Sequence, residues 1–119
     1  MEIKDLVNKI KQHPEYPKAG MILCHNGVVR NTSRDGRKVT GLTVAVDRQR
    51  LETLIEEARQ RPGIVDVQVK IAADTPLMVG DDVMLLVVAG DVRENVIACL
   101  SDTLNTIKST VTSKTEFYA

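Results

Sequence analysis

The sequence predicts an α+β domain with a mainly antiparallel sheet packed by two to three helices. Segments whose apolar residues recur every three or four positions alternate with shorter β-rich segments. Two connections between consecutive β-rich segments are too short for a crossover helix, so the strands they join are expected to pair antiparallel. The chain has 119 residues, of which 43% are hydrophobic and 27% charged, the size and balance of one globular domain. We therefore expect a single domain over residues 1–119.

The two ends of this domain differ in how clearly they are patterned. Residues 1–20 are expected to form a helix and a connector: apolar residues recur at helical spacing from Ile3 to Ile10, and Pro14 ends the helix. Residues 112–119 mix β-branched and polar side chains, and the pattern there predicts no single structure.

Four β-rich segments supply the predicted sheet. The third alternates, with Val65 and Val67 expected inward and Asp66 outward. The fourth reads Val-Met-Leu-Leu-Val-Val, a run typical of a strand covered on both faces. The predicted strands are residues 21–30, 39–46, 64–71 and 83–88.

Two further helices are predicted, one after the second strand and one after the fourth. Asp47 is placed to cap the first of them, and the pair Pro62 and Gly63 ends it. Asp91 is expected to cap the last helix, with Glu94 three residues later completing a capping box.

Charge and hydropathy exclude several classes of protein. Sixteen basic and sixteen acidic residues give a formal charge of zero, whereas binders of nucleic acid or anionic membranes need a cationic excess. No apolar run approaches the ~20 residues of a membrane span, and the N-terminus lacks the apolar region of a secretory signal. We expect a cytoplasmic protein with no nucleic-acid or membrane partner. Cys24 and Cys99 form no CxxC motif and are expected to be buried free thiols.

Common catalytic and metal-binding motifs are absent from the sequence. His13 and His25 have no partner at ligand spacing, so no metal site is predicted. Cys24 and His25 are neighbours on a predicted strand and would point to opposite faces, which excludes a catalytic dyad. The sequence contains no GxSxG, GxGxxG or P-loop motif, and no cofactor is predicted.

Basic residues at the ends of apolar elements are the remaining candidates for a site. Arg30 follows the first strand, and Arg37 lies in the adjoining loop. Arg93 lies in the first turn of the last helix, where the helix dipole disfavours a cation, and Lys108 and Lys114 lie near its end. Such a set could hold an anion, with Arg as a bidentate clamp and Lys as a point charge or reactive amine. On spacing alone, ordinary solvated charges are the favoured interpretation.

Several short motifs, taken in order, are typical of one family. Residues 26–31, Asn-Gly-Val-Val-Arg-Asn, are similar to its TGxVRN segment, and residues 79–83, Val-Gly-Asp-Asp-Val, to its PGDxxV turn. Arg93 falls at the Arg of an SxHR segment. Lys108 and Lys114 fall at the two ends of a segment that is similar to LKxxxPxWKKE. In the order and spacing of these motifs the chain resembles the large, catalytic subunit of molybdopterin synthase.

This resemblance covers roughly residues 21–116 and implies a fold, an activity and partners. The implied fold is an α/β hammerhead that forms a homodimer within a heterotetramer. The implied activity is a sulfur transfer in molybdenum cofactor biosynthesis, in which cyclic pyranopterin monophosphate receives the two sulfurs of the molybdopterin dithiolene. The implied donor is a small ubiquitin-like sulfur-carrier subunit whose C-terminal Gly-Gly ends in a thiocarboxylate. The step needs no metal and no other cofactor.

The resemblance also implies roles for individual residues. Lys108 would lie beside the incoming thiocarboxylate and Lys114 close to the substrate, both as catalytic residues. Fixed cations there would stabilise the negative charge that develops during sulfur transfer. Four further residues are implied to bind the substrate's phosphate and pterin: Arg30, Asn31, Arg37 and Arg93.

The C-terminal motif departs from the family pattern. The two lysines lie one residue closer together, the Pro and Trp are missing from residues 109–113, and Val92 stands where the family has His. Two alternatives are therefore open: a non-catalytic relative that binds a ubiquitin-like tail or a pterin, and an unrelated α+β regulatory or oligomerisation domain. Convergence of Arg30 and Lys108 on one pocket would argue against the unrelated domain.

Overall fold

Two three-stranded antiparallel sheets and three α-helices make up the computed structural model, which describes residues 2–119. The predicted α+β class is confirmed, and residues 64–71 and 83–88 pair antiparallel as expected. Residues 21–30 and 39–46, which the other short connection joins, lie in different sheets, so the expected pairing of these two strands is wrong. The helices are α1 (Ile3–Lys11), α2 (Arg48–Arg59) and α3 (Arg93–Thr106), with a 3-10 turn at Tyr16–Lys18 and a π-helical turn at Ile107–Val111. The strands are β1 (Met21–Val28), β2 (Val39–Val46), β3 (Ile64–Ile71), β4 (Leu77–Met78), β5 (Asp82–Gly90) and β6 (Thr112–Tyr118).

The first sheet has the strand order β1-β5-β3 and is covered on both faces. On β5, Leu85 and Val87 pack toward α1, whereas Leu86 and Val88 pack toward α2 and α3. All four side chains are at most 1% exposed. The uninterrupted apolar run therefore forms the doubly covered strand that it predicts.

The second sheet, with the order β4-β2-β6, contains the tail for which the pattern predicts no structure. Residues 112–118 form β6, which pairs antiparallel with β2 so that Lys114 lies opposite Val44. An apolar cluster that includes Leu42, Val44 and Leu77 joins this sheet to Ile71 of the first sheet. The protein thus has two sheets where the sequence predicted one, because β2 pairs with β4 and β6 instead of with β1.

A β-bulge near the start of β3 changes the alternation predicted for this strand. Val65 packs toward α1 and Val67 toward the opposite face, while Asp66 is only 5% exposed instead of lying in solvent. The Asp66 carboxylate accepts hydrogen bonds from Arg59 Nε at 3.0 Å, the Val67 amide at 2.8 Å and Gln68 Nε2 at 3.0 Å. Arg59 also donates to the Val67 carbonyl. This network neutralises the buried charge.

The start of α3 also differs from its prediction. The helix begins at Arg93 after Val92, whose side chain makes no capping hydrogen bond, so Asp91 is not the cap. Asp91 instead accepts hydrogen bonds from the Val92 amide at 2.6 Å and from Asn95 Nδ2 at 2.9 Å. Gly63, at a φ of +81°, lies against this pair, where a Cβ atom would clash with both side chains.

The two cysteines are free, but only Cys99 is buried. Cys24 is exposed on β1, which is an edge strand, so the expectation of two buried thiols is wrong for this residue. Desolvation by the surrounding chain raises the pKa of each thiol, which lowers its fraction of reactive thiolate. Within residues 2–119, no helix combines the length and the apolarity that a bilayer crossing requires.

Replacing Arg59 with Met should lower the free energy of unfolding by about 2–3 kcal/mol, because Asp66 would stay buried without its counter-ion. Arg61→Met is a matched control. Both guanidinium side chains are 36% exposed, but Asp102, the partner of Arg61, is 63% exposed. The control should lose less than about 1 kcal/mol in urea denaturation. Equal losses in the two variants would contradict a stabilising role for the buried pair.

Candidate functional site

A cavity of about 850 Å³ lies where the end of β1, the second sheet and the π-helical turn meet. Its volume falls within the range of about 300–1,000 Å³ that is usual for small-molecule sites. Apolar side chains from β2, β3 and β5 line part of it, and β1 contributes His25 and Gly27. The charged lining residues of the described chain are Arg30, Arg34, Lys108, Lys114 and Glu116.

Arg30 is positioned by the residue before it. Val29 is 2% exposed, and its backbone exchanges hydrogen bonds with the turn at Gly80 and Asp81, at 2.9 Å in each direction. The Arg30 side chain donates from Nε to the Thr32 carbonyl at 3.0 Å. These contacts fix the chain at the point where it leaves β1 and place the guanidinium at the cavity.

Lys108 reaches the cavity because α3 continues into the π-helical turn. Ile107 and Val111 of this turn are 0% and 4% exposed, so they anchor the backbone on either side of Lys108. β6 begins directly after the turn, and its pairing with β2 places Lys114 on the same cavity. The shortened spacing and the lost Pro and Trp therefore leave both lysines at one site. π-Helical turns of this kind are often found at functional sites.

The cations of this cavity are largely unneutralised. Lys114 Nζ lies 3.9 Å from a carboxylate oxygen of Glu116, whose side chain is 17% exposed. Within residues 2–119, Arg30, Arg34 and Lys108 form no ion pair with a carboxylate. An excess of positive charge in a partly enclosed space favours the binding of an anion.

Three residues that the resemblance assigned to the substrate do not line this cavity. The Asn31 carbonyl accepts a hydrogen bond from the Val39 amide at 2.9 Å, which closes the base of the loop. The Arg37 guanidinium lies 3.6 Å from the ring centroid of Tyr118, a cation–π contact. The Arg93 side chain is 79% exposed at the other end of α3, roughly 20 Å from Lys108 along the helix axis.

His25, for which the sequence predicts no role in a site, lines the cavity. Its imidazole is half-buried, and Nε2 is shielded and has no hydrogen-bond partner within the described chain. Burial and the charge of Lys108 both lower the pKa of His25, which favours the neutral form of the imidazole. Strand alternation correctly separates His25 from Cys24, but no sequence signal brings Lys108 beside it.

A smaller cavity of about 360 Å³ lies between α2 and the end of α3. Its charged lining residues are Asp47, Arg50 and Glu57, which carry both signs, and Asp47 is already occupied as the helix cap. Among residues 2–119 there is no group of three or more His, Cys, Asp or Glu side chains that could hold a metal ion. The larger cavity is therefore the candidate site, and its charges suit an anion.

Comparison with known families identifies the class of this protein. The family model described as MoaE protein matches residues 2–110. The chain belongs to this family, which is the molybdopterin synthase large subunit family, and it has a role in molybdenum cofactor biosynthesis. The alternative of an unrelated α+β domain is therefore wrong. A comparison with curated proteins finds no significant match.

Solved structures of the same family share the fold. Molybdopterin synthase from Staphylococcus aureus superposes with a TM-score of 0.73 at 20% identity, over 91% of this chain and 85% of that one. Molybdopterin cofactor biosynthesis protein E from Burkholderia multivorans gives 0.78 at 22% identity, over 100% and 82%. The complex of subunits 1 and 2 of the molybdopterin-converting factor from Helicobacter pylori gives 0.72 at 17% identity, over 100% and 84%.

The lowered pKa of His25 should make the fold less stable in mild acid. As pH falls below 6.5, the usual pKa, the unfolded chain binds a proton at His25 before the folded chain does, so the free energy of unfolding decreases. Urea denaturation between pH 7.5 and 5.5 should show a smaller loss of stability for His25→Asn than for the unmodified protein. Lys11→Ala, which alters an exposed side chain at the end of α1 away from the cavity, should keep the original slope.

Proposed function

We propose that this chain is the catalytic subunit of a molybdopterin synthase. It would transfer sulfur from a thiocarboxylated small subunit to cyclic pyranopterin monophosphate. The observation that carries the proposal is the meeting of Arg30, Lys108 and Lys114 at one cavity, in a chain of the MoaE family. Arg30 follows β1, whereas Lys108 and Lys114 lie after α3, so the fold brings together residues that are distant along the chain.

The cavity suits the anionic part of the proposed substrate. Arg30 and Arg34 present planar guanidinium groups, which can bind phosphate oxygens in pairs. The hydrogen bond from Arg30 to the Thr32 carbonyl holds its side chain before substrate arrives, which reduces the entropy lost on binding. The apolar lining from Leu42, Val44 and Ile71 would face the flat pterin.

The lysines suit the sulfur-transfer step. The thiocarboxylate sulfur forms a new bond to a carbon of the pyranopterin, and a carbon–oxygen bond at that carbon breaks, with its oxygen leaving as water or as an oxygen of the phosphate. The bond from this sulfur to the tail's carbonyl carbon then breaks when water attacks, and the tail leaves as a carboxylate. This attack passes through a tetrahedral species with negative charge on oxygen, which an ammonium group at a fixed position stabilises. Lys108 would be that group, and Lys114, held beside Glu116, would act close to the substrate.

The proposed sulfur donor is a small ubiquitin-like subunit with a C-terminal Gly-Gly. A tail of two glycines has no side chains and can approach a partly enclosed cavity closely. The related structure from Helicobacter pylori is a complex of two subunits of a molybdopterin-converting factor, which supports a two-subunit assembly for this chain as well.

Lys108→Ala should reduce sulfur transfer by at least about 100-fold, because it removes the cation beside the reacting carbonyl. The assay combines the protein, a thiocarboxylated small subunit and cyclic pyranopterin monophosphate, with the dithiolene product detected by fluorescence after oxidation. Lys11→Ala, at the exposed end of α1 and away from the cavity, is the matched control and should keep full activity. Activity retained in Lys108→Ala would remove Lys108 from its assigned role.

The same reconstitution separates catalysis from binding alone. The loss of Pro and Trp from residues 109–113 motivates the second candidate, a family member that binds a ubiquitin-like tail or a pterin without turnover. That candidate predicts tight binding of the thiocarboxylated subunit with no dithiolene product from the unmodified protein.

We also propose that the chain acts as a homodimer within a heterotetramer. Arg93 and Lys108 lie at opposite ends of one helical segment, so they can act on one substrate only if Arg93 comes from a second copy. A two-fold axis would then give two identical sites, each with Lys108 from one chain and Arg93 from the other. Light scattering at micromolar concentration should show a dimer.

Mixed dimers test whether Arg93 acts across the interface. Arg93→Ala and Lys108→Ala should each be inactive alone, while equal co-expression should restore about a quarter of full activity, since half of the dimers are mixed and each has one intact site. An equal mixture that stays inactive, or an active Arg93→Ala variant, would contradict the shared site.

A further inference from the structure

We propose that His25 is a further anion-binding residue of the large cavity, and that it takes up a proton when an anion binds there. The ligand class is a tetrahedral oxyanion, such as a phosphate or sulfate group. The inference rests on the proposed function only in identifying that anion with the phosphate of the substrate. Proton-coupled anion binding can be tested without catalysis.

The unpaired Nε2 atom of His25 supports this role. This nitrogen is shielded from solvent, yet no group of residues 2–119 hydrogen-bonds to it. A shielded polar atom without a partner is unfavourable unless a ligand or water supplies one. Gly27, two residues along the same face of β1, adds no side chain beside the ring, and a Cβ atom there would lie 3.3 Å from Nε2. The glycine therefore lets the imidazole lie close against the strand, where a larger residue would crowd the unpaired nitrogen.

The positive charge around the His25 imidazole also favours an anion. The loop after β1 brings Arg30 and Arg34 to the cavity, the π-helical turn brings Lys108, and β6 brings Lys114 with Glu116. Four cations thus share the space with one carboxylate, which is itself 3.9 Å from Lys114. The lining side chains from the remaining strands carry no charge: Leu42 and Val44 of β2, Ile71 of β3, and Val83 and Met84 of β5.

Protonation of His25 and binding of an anion are expected to be thermodynamically linked. In the empty cavity, burial and Lys108 lower the pKa of His25 and favour its neutral form. An anion beside Lys108 offsets that charge and accepts a hydrogen bond from Nε2, so it stabilises the imidazolium ion. Coupling of two binding events is reciprocal, so protonation of His25 must strengthen anion binding by the same factor. Between the pKa values of the empty and occupied protein, affinity should rise up to about tenfold per unit fall in pH.

The test uses inorganic sulfate, because sulfate stays a dianion across the pH range in which histidine titrates. NMR of the histidine Cε1 protons, with ionic strength held constant by chloride, gives the titration of both histidines with and without sulfate. We expect sulfate to raise the pKa of His25 and to bind more tightly as the pH falls from 7.5 to 5.5. The loss of one signal in His25→Asn assigns the resonance.

Two variants separate a binding role from a structural one. His25→Asn keeps a polar side chain of similar size but cannot become a cation, so sulfate affinity should become almost independent of pH. His13→Gln leaves the cavity intact and should keep the pH dependence of the unmodified protein. Thermal unfolding at pH 7.5 checks that both variants are folded.

Three results would overturn the inference: no sulfate binding, binding that does not vary with pH, or the same pH dependence in His25→Asn. The outcome is distinct from that of the sulfur-transfer assay. Proton-coupled sulfate binding in a protein without sulfur transfer would support this inference and contradict the catalytic proposal. Sulfur transfer with pH-independent sulfate binding would do the reverse.

Discussion

The burial of β5 on both faces is the constraint on which the rest of this structure depends. Each of the four apolar clusters in the described chain contains or contacts a residue of this strand. Alternate side chains of β5 pack against α1 on one face and against α2 and α3 on the other. At the start of β5, Val83 contacts the second sheet and Met84 contacts the π-helical turn. Because β5 also pairs with both β1 and β3, its backbone polar groups are satisfied without solvent.

The candidate site lies at the margin of this core, where regular structure changes. β1 ends and turns at Val29, α3 widens into the π-helical turn, and β6 starts at Thr112. Each transition leaves a cation at the cavity, while the apolar residues beside it anchor the backbone. The same principle applies to His25: the strand holds the ring at the cavity, and Gly27 lets the ring lie close against the backbone. The buried residues at the edge of the core thus hold the backbone in place, and the cationic side chains next to them line the cavity.

The positions of the implied site residues follow from this arrangement. Arg30, Lys108 and Lys114 share the cavity because each lies at such a transition. Arg37 is drawn away by its contact with Tyr118, a residue of the tail strand that the sequence pattern did not predict. Arg93 lies at the start of α3, a helix length away from Lys108, so it can reach such a cavity only from a second copy of the chain. A motif match therefore predicts which residue type stands at a position, whereas the folded and assembled protein determines whether that side chain reaches the site.

The sequence by itself determined the α+β class, the antiparallel pairing of β3 with β5, the helix cap at Asp47 and the doubly buried strand, because periodicity, turn residues and caps act over a few neighbouring positions. Only the tertiary structure decided the bulge that buries Asp66, the pairing of the tail with β2 and the meeting of His25 with Lys108. Each of these depends on segments that are distant along the chain, and their contact energies are set by which surfaces the packed core brings together. Local sequence patterns therefore predict whether a residue is buried and in which element it lies, but they do not predict which distant residues it contacts.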